Sequence, residues 1–417
     1  VSATAPRIVV VGAGLAGLRV CERLRAAGHD GPITVFGDEE HPPYNRPPLS
    51  KELLRGTTTV DKLAFKQRPA TEDVTWLLGT PVTAVDLTRR EVTLADGSSA
   101  AYDGLVVATG VRARRLSLDG EPGTRHTIRT IEDAQRVARN LTAGTRVVVI
   151  GAGFIGCEVA ATAVGLGCDV TVVEPLSAPL ERAVGVEVGR EVQRRHEVRG
   201  VRFALGRTVT AVIDAGEHLE IELDRGSRIP ADVVIEAVGS QANTEPLAGQ
   251  GLDLSNGVLC DAGLHPLRDG RAVLDVVVVG DVARFPVHGF GELPLRVEHW
   301  TMPTDMAAHA AASLLAGIAG GRADEAGFAP LPTFWSEQYG VRMQSFGVPS
   351  QGLDDVRVLE GTLGEEAAVG YHRDGRLVGV VLIGMARRMV DFRTAVSDAR
   401  LTELAELAPI DATVAAG

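Results

Sequence analysis

Thiol pairs are missing from this chain. Its four cysteines, Cys21, Cys157, Cys168 and Cys260, are scattered through 417 residues, with no C-x-x-C or C-x4-C spacing to write a redox disulfide or a zinc ribbon. Isolated thiols of this kind read as small buried apolar residues in a reducing cytosol. Metal-ligand spacing is missing too: His299 and His309 lie far from any such pattern and His288 stands alone, so ordinary histidines and no metal are expected. No apolar run is long enough to span a membrane, and residues 8–11 form a strand before glycines, not a signal-peptide core. Positive charge is in deficit. A formal net charge of −12 argues against general nucleic-acid binding. Aromatic residues are only 4% of the chain, so the rings gathered between Pro330 and Phe346 stand out.

Glycine is plentiful, at 48 residues, and an apolar content of 45% supports the cores of two or three domains. The stretch from Val147 to Glu174 organises the rest. Val147 to Ile150 reads as a buried parallel strand. It stops at Gly151, Gly153 and Gly156, spaced G-x-G-x-x-G, before a helical segment and a second apolar strand that ends on Glu174. Gly151 permits the tight turn, Gly153 lets the backbone approach a pyrophosphate, and Gly156 lets helix pack on strand. The helix N-terminus offers unpaired N–H groups to phosphate. Glu174 sits where an acid holds a ribose 2′-hydroxyl, and Pro175-Leu176 after it supply no arginine for a 2′-phosphate. NADH is therefore expected in preference to NADPH.

The same design comes first at residues 7–36. Ile8 to Val11 leads into Gly12, Gly14 and Gly17, a helical pattern, and a strand that ends before Gly37-Asp38-Glu39. Either acid can hold an adenosine ribose; Asp38 is the preferred one. Two intact fingerprints imply two dinucleotides. The proline-stiffened loop from His41 to Lys51 carries the cations Arg46 and Lys51, with Ser50 as an N-cap for a helix beginning near Lys51. Residues 82–97 read as a hairpin. Ala108-Thr109-Gly110 ends a buried strand with residues small enough to leave room for a cofactor, and residues 233–239 echo it. Gly280 and Asp281 end another apolar strand, where the acid can sit beside a ribityl or pyrophosphate chain. A helix is expected from about 304 to 315, a linker over 317–327, strands over 356–359 and 377–383, and a helical close at 401–407.

Taken together, V-V-G-A-G-L-A-G, P-Y-N-R-P-P-L-S-K, A-T-G, R-T-I-E-D-A, V-I-G-A-G-F-I-G-C-E-V-A-A-T-A, V-G-D-V-A-R-F and F-W-S-E-Q-Y resemble the FAD-dependent NADH:ferredoxin reductases of the putidaredoxin reductase type. These serve cytochrome P450 and ring-hydroxylating dioxygenase systems. The resemblance implies an α/β fold with two Rossmann-like dinucleotide-binding domains, as in glutathione reductase, plus a C-terminal α+β interface domain. The FAD domain would span 1–113 and 242–322, the NADH domain 114–241 and the interface domain 323–417. FAD would be held by Gly12, Gly14, Ala16, Asp38, Arg46, Lys51, Val82, Ala108, Arg129, Asp281 and Trp300, beside Gly17, Thr109, Gly110 and Gly280 from the turns and strand ends read above. NADH would use Gly151, Gly153, Ile155, Gly156, Glu158, Glu174 and Gly239. Lys51 and Glu158 resemble the family's ion pair near the flavin N5 edge, where they would position the nicotinamide.

NADH gives up a hydride, and flavin can pass electrons on singly. With no dithiol beside the flavin, electrons must leave to an external acceptor, and the resemblance supplies one: a ferredoxin feeding a P450 or an oxygenase. A cytoplasmic enzyme, a monomer or weak dimer, is the expected form. Arg296, Arg342, Arg387, Arg388 and Arg393 are either a docking patch for an acidic ferredoxin or scattered surface charges. One rival is an NADH oxidase or apoptosis-inducing-factor-like flavoprotein, but no cysteine lies in the segment from His41 to Lys51. A rival of another class is a non-catalytic nucleotide sensor or scaffold, against which Lys51 and Glu158 count.

Overall fold

The computed structural model describes residues 5–118, 124–287, 289–291, 293–323 and 327–407, the last six without their side chains. Two five-stranded parallel sheets carry the two glycine fingerprints. In the first, Ile8–Val11 lies between Ile33–Phe36 and Gly104–Val107, with Thr75–Leu77 and Val276–Val278 at the edges. In the second, Arg146–Ile150 lies between Asp169–Glu174 and Val233–Glu236, with Arg202–Leu205 and Arg125–His126 outside. Every residue of Ile8–Val11, Gly104–Val107 and Val233–Glu236 is buried. Strands covered on both faces need apolar side chains at nearly every position, which is why these runs show no alternation; the exception, Glu236, is paired with Arg125 at 2.7 Å.

Among the described residues there are six α-helices: α1 (Leu15–Ala26), α2 (Ile131–Ala138), α3 (Phe154–Gly165), α4 (Glu181–Glu197), α5 (Met302–Ile318) and α6 (Met389–Leu407). Helices α1 and α3 rise directly out of the fingerprint turns, and α1 packs on α5. Helix α4 breaks at Gly185, whose φ is 79°. The hairpin expected over 82–97 gains a third strand, Ser99–Ala101, beside Val82–Asp86 and Glu91–Leu94.

The C-terminal sheet is antiparallel, and Arg376–Ile383 lies in it between Val341–Gly347 and Ala367–Arg373. Successive side chains of a strand point to opposite faces, and this strand uses both. Val380 and Leu382 join the hydrophobic cluster of the first parallel sheet, whereas Val381 and Ile383 join that of the second. The sheet thus bridges the two units built on the parallel sheets.

Three sequence expectations fail locally. No helix starts at Lys51: a 3-10 turn, Pro47–Ser50, runs into successive turns, and the Ser50 hydroxyl caps no helix. The linker expected over 317–327 begins inside α5, where a side chain on Gly317 would run into the Leu274 carbonyl; residues 324–326 lie outside the described residues. The closing helix starts at Met389, a dozen residues before 401.

Candidate active site

The two fingerprint turns are shaped by close approach. A Cβ on Gly12 would collide with the Ala108 carbonyl, and one on Gly151 with that of Ala237; both glycines adopt a positive φ, 118° and 100°. Cβ atoms on Gly17 and Gly156 would strike the carbonyls of Gly12 and Gly151. The middle glycines differ. Nothing lies within 4 Å of a Cβ built on Gly14 or Gly153, so that side of each turn is open. These two glycines are the N-caps of α1 and α3, with no side-chain cap and no acid in the first turn. Helix α2, by contrast, is closed by a capping box between Thr130 and Asp133. Open N–H groups beside open space suit a pyrophosphate, so the residues present fit two dinucleotides.

Around the first turn, Asp38 is exposed just past its strand. Glu39 is occupied, accepting from Arg46 Nη2 at 2.5 Å and from the Tyr44 hydroxyl at 2.6 Å. Arg46 also donates to the Arg129 carbonyl at 2.7 Å and lies over the Tyr44 ring. Thr109 and Asn243 bond reciprocally, hydroxyl to carbonyl at 2.7 Å and amide to carbonyl at 2.9 Å. Arg129 approaches both Gly110 and Asp281, the latter at 3.4 Å. Burial raises the Asp281 carboxyl pKa above the ordinary range, and the Arg129 charge opposes that shift. Gly280 meets Ala16, half-buried Val82 packs on the first core, and Trp300 stacks on Phe65 with ring centroids 6.3 Å apart.

Around the second turn, Glu174 accepts backbone N–H bonds from Ala152 at 2.7 Å and Leu176 at 3.0 Å. Ile155 is 44% exposed at the start of α3, and Gly239 has a φ of 99° after the Val233–Glu236 strand.

Lys51 and Glu158, 107 residues apart in sequence, meet at 2.6 Å. Both side chains are 6% exposed. An ion pair this dry needs further partners for its remaining oxygens, and sequence reasoning missed them. The Ser50 hydroxyl donates to Glu158 Oε2 at 2.6 Å and the Ser336 hydroxyl to Oε1 at 2.8 Å. Thr162, one turn on from Glu158 in α3, donates to the Ser50 carbonyl at 2.9 Å and ties helix to loop. The signal was available, since Ser336 lies inside F-W-S-E-Q-Y, but no spacing rule assigns it a role. Phe154 and Phe334 pack 4.7 Å apart nearby, and His299 meets Phe334 edge-on. Burial pushes the His299 pKa down to about 4. The Trp335 ring lies 5.4 Å from Lys51 Nζ and 5.1 Å from the Arg342 guanidinium.

All four cysteines are buried and unpaired, and burial pushes their thiol pKa values up, that of Cys21 to about 12. Among the described residues no cluster of potential metal ligands occurs, and no helix is long and apolar enough to cross a membrane. His309 Nε2 donates to the Ala262 carbonyl at 3.1 Å, while His288 lies outside the described residues. The five arginines considered as a patch are partly neutralised. Arg296 pairs with Glu298, Arg387 with Glu366, and Arg388 with Glu360 and Asp391.

Comparison with known proteins agrees with this geometry. Residues 6–311 match the pyridine nucleotide-disulphide oxidoreductase family and residues 333–415 the reductase C-terminal family. The chain is 36% identical to the ferredoxin–NAD(+) reductase component of an anthranilate 1,2-dioxygenase system from Burkholderia cepacia, covering 93% of this chain and 94% of that one. It is 34% identical to a putidaredoxin reductase from Pseudomonas putida, covering 89% and 87%. A solved covalent putidaredoxin reductase–putidaredoxin complex superposes with a TM-score of 0.85 at 31% identity, covering 95% and 93%.

Proposed function

Given that this chain belongs to the pyridine nucleotide-disulphide oxidoreductase family and carries its reductase C-terminal domain, we propose that it is an NADH-dependent, FAD-containing ferredoxin reductase. It oxidises NADH and reduces an iron–sulfur ferredoxin that feeds a ring-hydroxylating dioxygenase or a cytochrome P450. The observation that carries this reading is the buried Lys51–Glu158 pair in a chain whose four thiols are all buried and unpaired. No thiol pair is present to take electrons onward, so the acceptor is external.

FAD, when bound, supplies the chemistry that converts a hydride from NADH into single electrons. The chain's own residues bind and orient. The open turns at Gly12–Gly17 and Gly151–Gly156 take the two pyrophosphates, with Asp38 and Glu174 on the adenosine riboses. Arg46, Ala108, Thr109, Gly110, Arg129, Gly280, Asp281 and Trp300 complete the FAD site, with Ala16 and Val82 in its wall. Ile155 and Gly239 line the NADH side. Lys51 and Glu158 fix the nicotinamide and transfer no proton. Dry surroundings strengthen their attraction, and the hydroxyls of Ser50 and Ser336 hold the carboxylate still. Residues 1–113 with 242–322 form the FAD domain, 114–241 the NADH domain and 323–417 the interface domain. Half-buried Glu174, followed by an exposed proline, favours NADH over NADPH.

Steady-state NADH oxidation by the holoenzyme, with a panel of [2Fe–2S] and [3Fe–4S] ferredoxins against oxygen and cytochrome c alone, tests the assignment. At least one ferredoxin should accelerate turnover well above both controls. Brisk oxygen consumption with no gain from any ferredoxin would move the protein to the oxidases.

A further inference from the structure

The Glu158 carboxylate is the buried terminus of a hydrogen-bond chain that crosses from the C-terminal sheet to α4. A carboxylate only accepts, so the Ser336 hydroxyl, 2.8 Å from Glu158 Oε1, must be the donor. That leaves the Ser336 oxygen to accept from the Gln338 amide at 3.3 Å. With its NH2 so committed, Gln338 turns its carbonyl oxygen to His196, 2.9 Å from Nε2, and Nε2 therefore carries the proton. His196 Nδ1 is then bare and accepts from the Tyr339 hydroxyl at 2.7 Å. Each donor–acceptor direction follows from the one before, and every proton points toward Glu158. His196 and Ser336 are 0% and 1% exposed, and Gln338 and Tyr339, which join and extend them, are half-buried.

We propose that Ser336, Gln338 and His196 are positioning residues for hydride transfer: they lock Glu158 in place for the nicotinamide through a one-way relay of donors anchored in α4. The inference rests on the reading of Lys51 and Glu158 as the pair that fixes the nicotinamide. The relay's hydrogen bonds run to Glu158 and not to Glu174 or the glycine turns, so it acts on the orientation of the nicotinamide more than on the affinity for NADH. Around it stand Lys51 and Ser50 from the proline-rich loop, Trp335 and Arg342 from the C-terminal sheet, Arg199 from the segment after α4, whose guanidinium lies 4.3 Å over the Tyr339 ring, and Phe203 edge-on to His196. Arg199 is the charged group on the outer end and Lys51 the one on the inner end. Neither can accept a proton from the chain, which keeps its direction fixed.

Stopped-flow bleaching of the flavin by NADH in the holoenzyme separates the possibilities. Ser336→Ala should lower the limiting rate about tenfold, as expected for a lost hydrogen bond to a charged group, while the half-saturating NADH concentration stays within about twofold. Ser336→Thr restores the donor and should recover most of the rate. Gln338→Met, which cuts the next link, should fall between wild type and Ser336→Ala. Imidazole 15N NMR of the oxidised protein gives a reading independent of turnover: His196 should be neutral with Nε2 protonated, and its shifts should move in Ser336→Ala. A normal limiting rate in Ser336→Ala, an equal loss in Ser336→Thr, or an Nδ1-protonated His196 would overturn the proposal. Glu158→Gln is the control on its premise. If that variant bleaches at the wild-type rate, the reading of the ion pair fails; if it is slow and Ser336→Ala is not, only the relay fails.

Discussion

At the scale of single residues, the glycines of each fingerprint separate into two kinds with opposite consequences. A methyl on Gly156 has nowhere to go but the Gly151 carbonyl, whereas a methyl on Gly153 enters open space. Gly156→Ala should therefore destabilise by about 1–3 kcal/mol through overpacking, read as a lower Tm with or without NADH. Gly153→Ala should leave Tm unchanged and weaken NADH binding, measured by titration of the oxidised protein. Equal melting losses in the two variants would show that the Gly153 side of the turn is not open, and an unchanged NADH affinity in Gly153→Ala that the pyrophosphate does not lie there. Glu174 makes a related point. Its two backbone bonds to Ala152 and Leu176 hold the carboxylate beside the second turn, and on the proposal that it binds the adenosine ribose, replacing Glu174 by Ala together with Pro175 by Arg should raise the NADPH/NADH ratio of kcat/KM. An unchanged ratio would remove Glu174 from that role.

At the scale of elements, α4 carries a titration that the sequence does not announce. Burial beside Tyr339 and Phe203 lowers the His196 pKa to about 4 from its ordinary 6.5, with the hydrogen bond to Gln338 opposing the shift and the Arg199 charge adding to it. The folded state thus binds fewer protons than the unfolded chain between those values, and its stability must fall as pH drops from about 6.5 toward 4. The contribution is complete above the unfolded value and fully lost below the folded one. Tm measured across that window should fall more steeply for wild type than for His196→Gln, and parallel slopes would place the loss elsewhere, His299 first. The sequence was most legible where a strand is covered on both faces. Ile8–Val11 and Arg146–Ile150 announce themselves because a buried parallel strand has almost no polar position. The strand Ala367–Arg373 was not recognised, since A-A-V-G-Y-H-R puts Ala368 into one core and Ala367, Val369 and Tyr371 into the other, with glycine and alanine breaking up any apolar run. Lys51 and Glu158 were legible through resemblance to a family. Their partners Ser336, Gln338 and His196 were not, because a hydrogen-bond chain between segments far apart in sequence leaves no periodicity in any of them.

At the scale of the whole molecule, the strand Arg376–Ile383 is gripped from both sides. Val380 and Leu382 belong to one hydrophobic cluster and Val381 and Ile383 to the other, and the Tyr371 hydroxyl donates to the Val184 carbonyl of α4 from inside the same sheet. The C-terminal sheet should therefore melt with the two parallel sheets. Calorimetry of the holoenzyme should show no separate low-temperature transition for it, and a distinct transition would mean that the shared clusters add little. Within the same interior every native thiol is sealed, with its ionisation suppressed by burial. Thiolate is the reactive form, so the folded enzyme should ignore maleimides, iodoacetamide and arsenite alike. A cysteine engineered onto its exterior would then be the sole handle for a dye, a tether or an electrode.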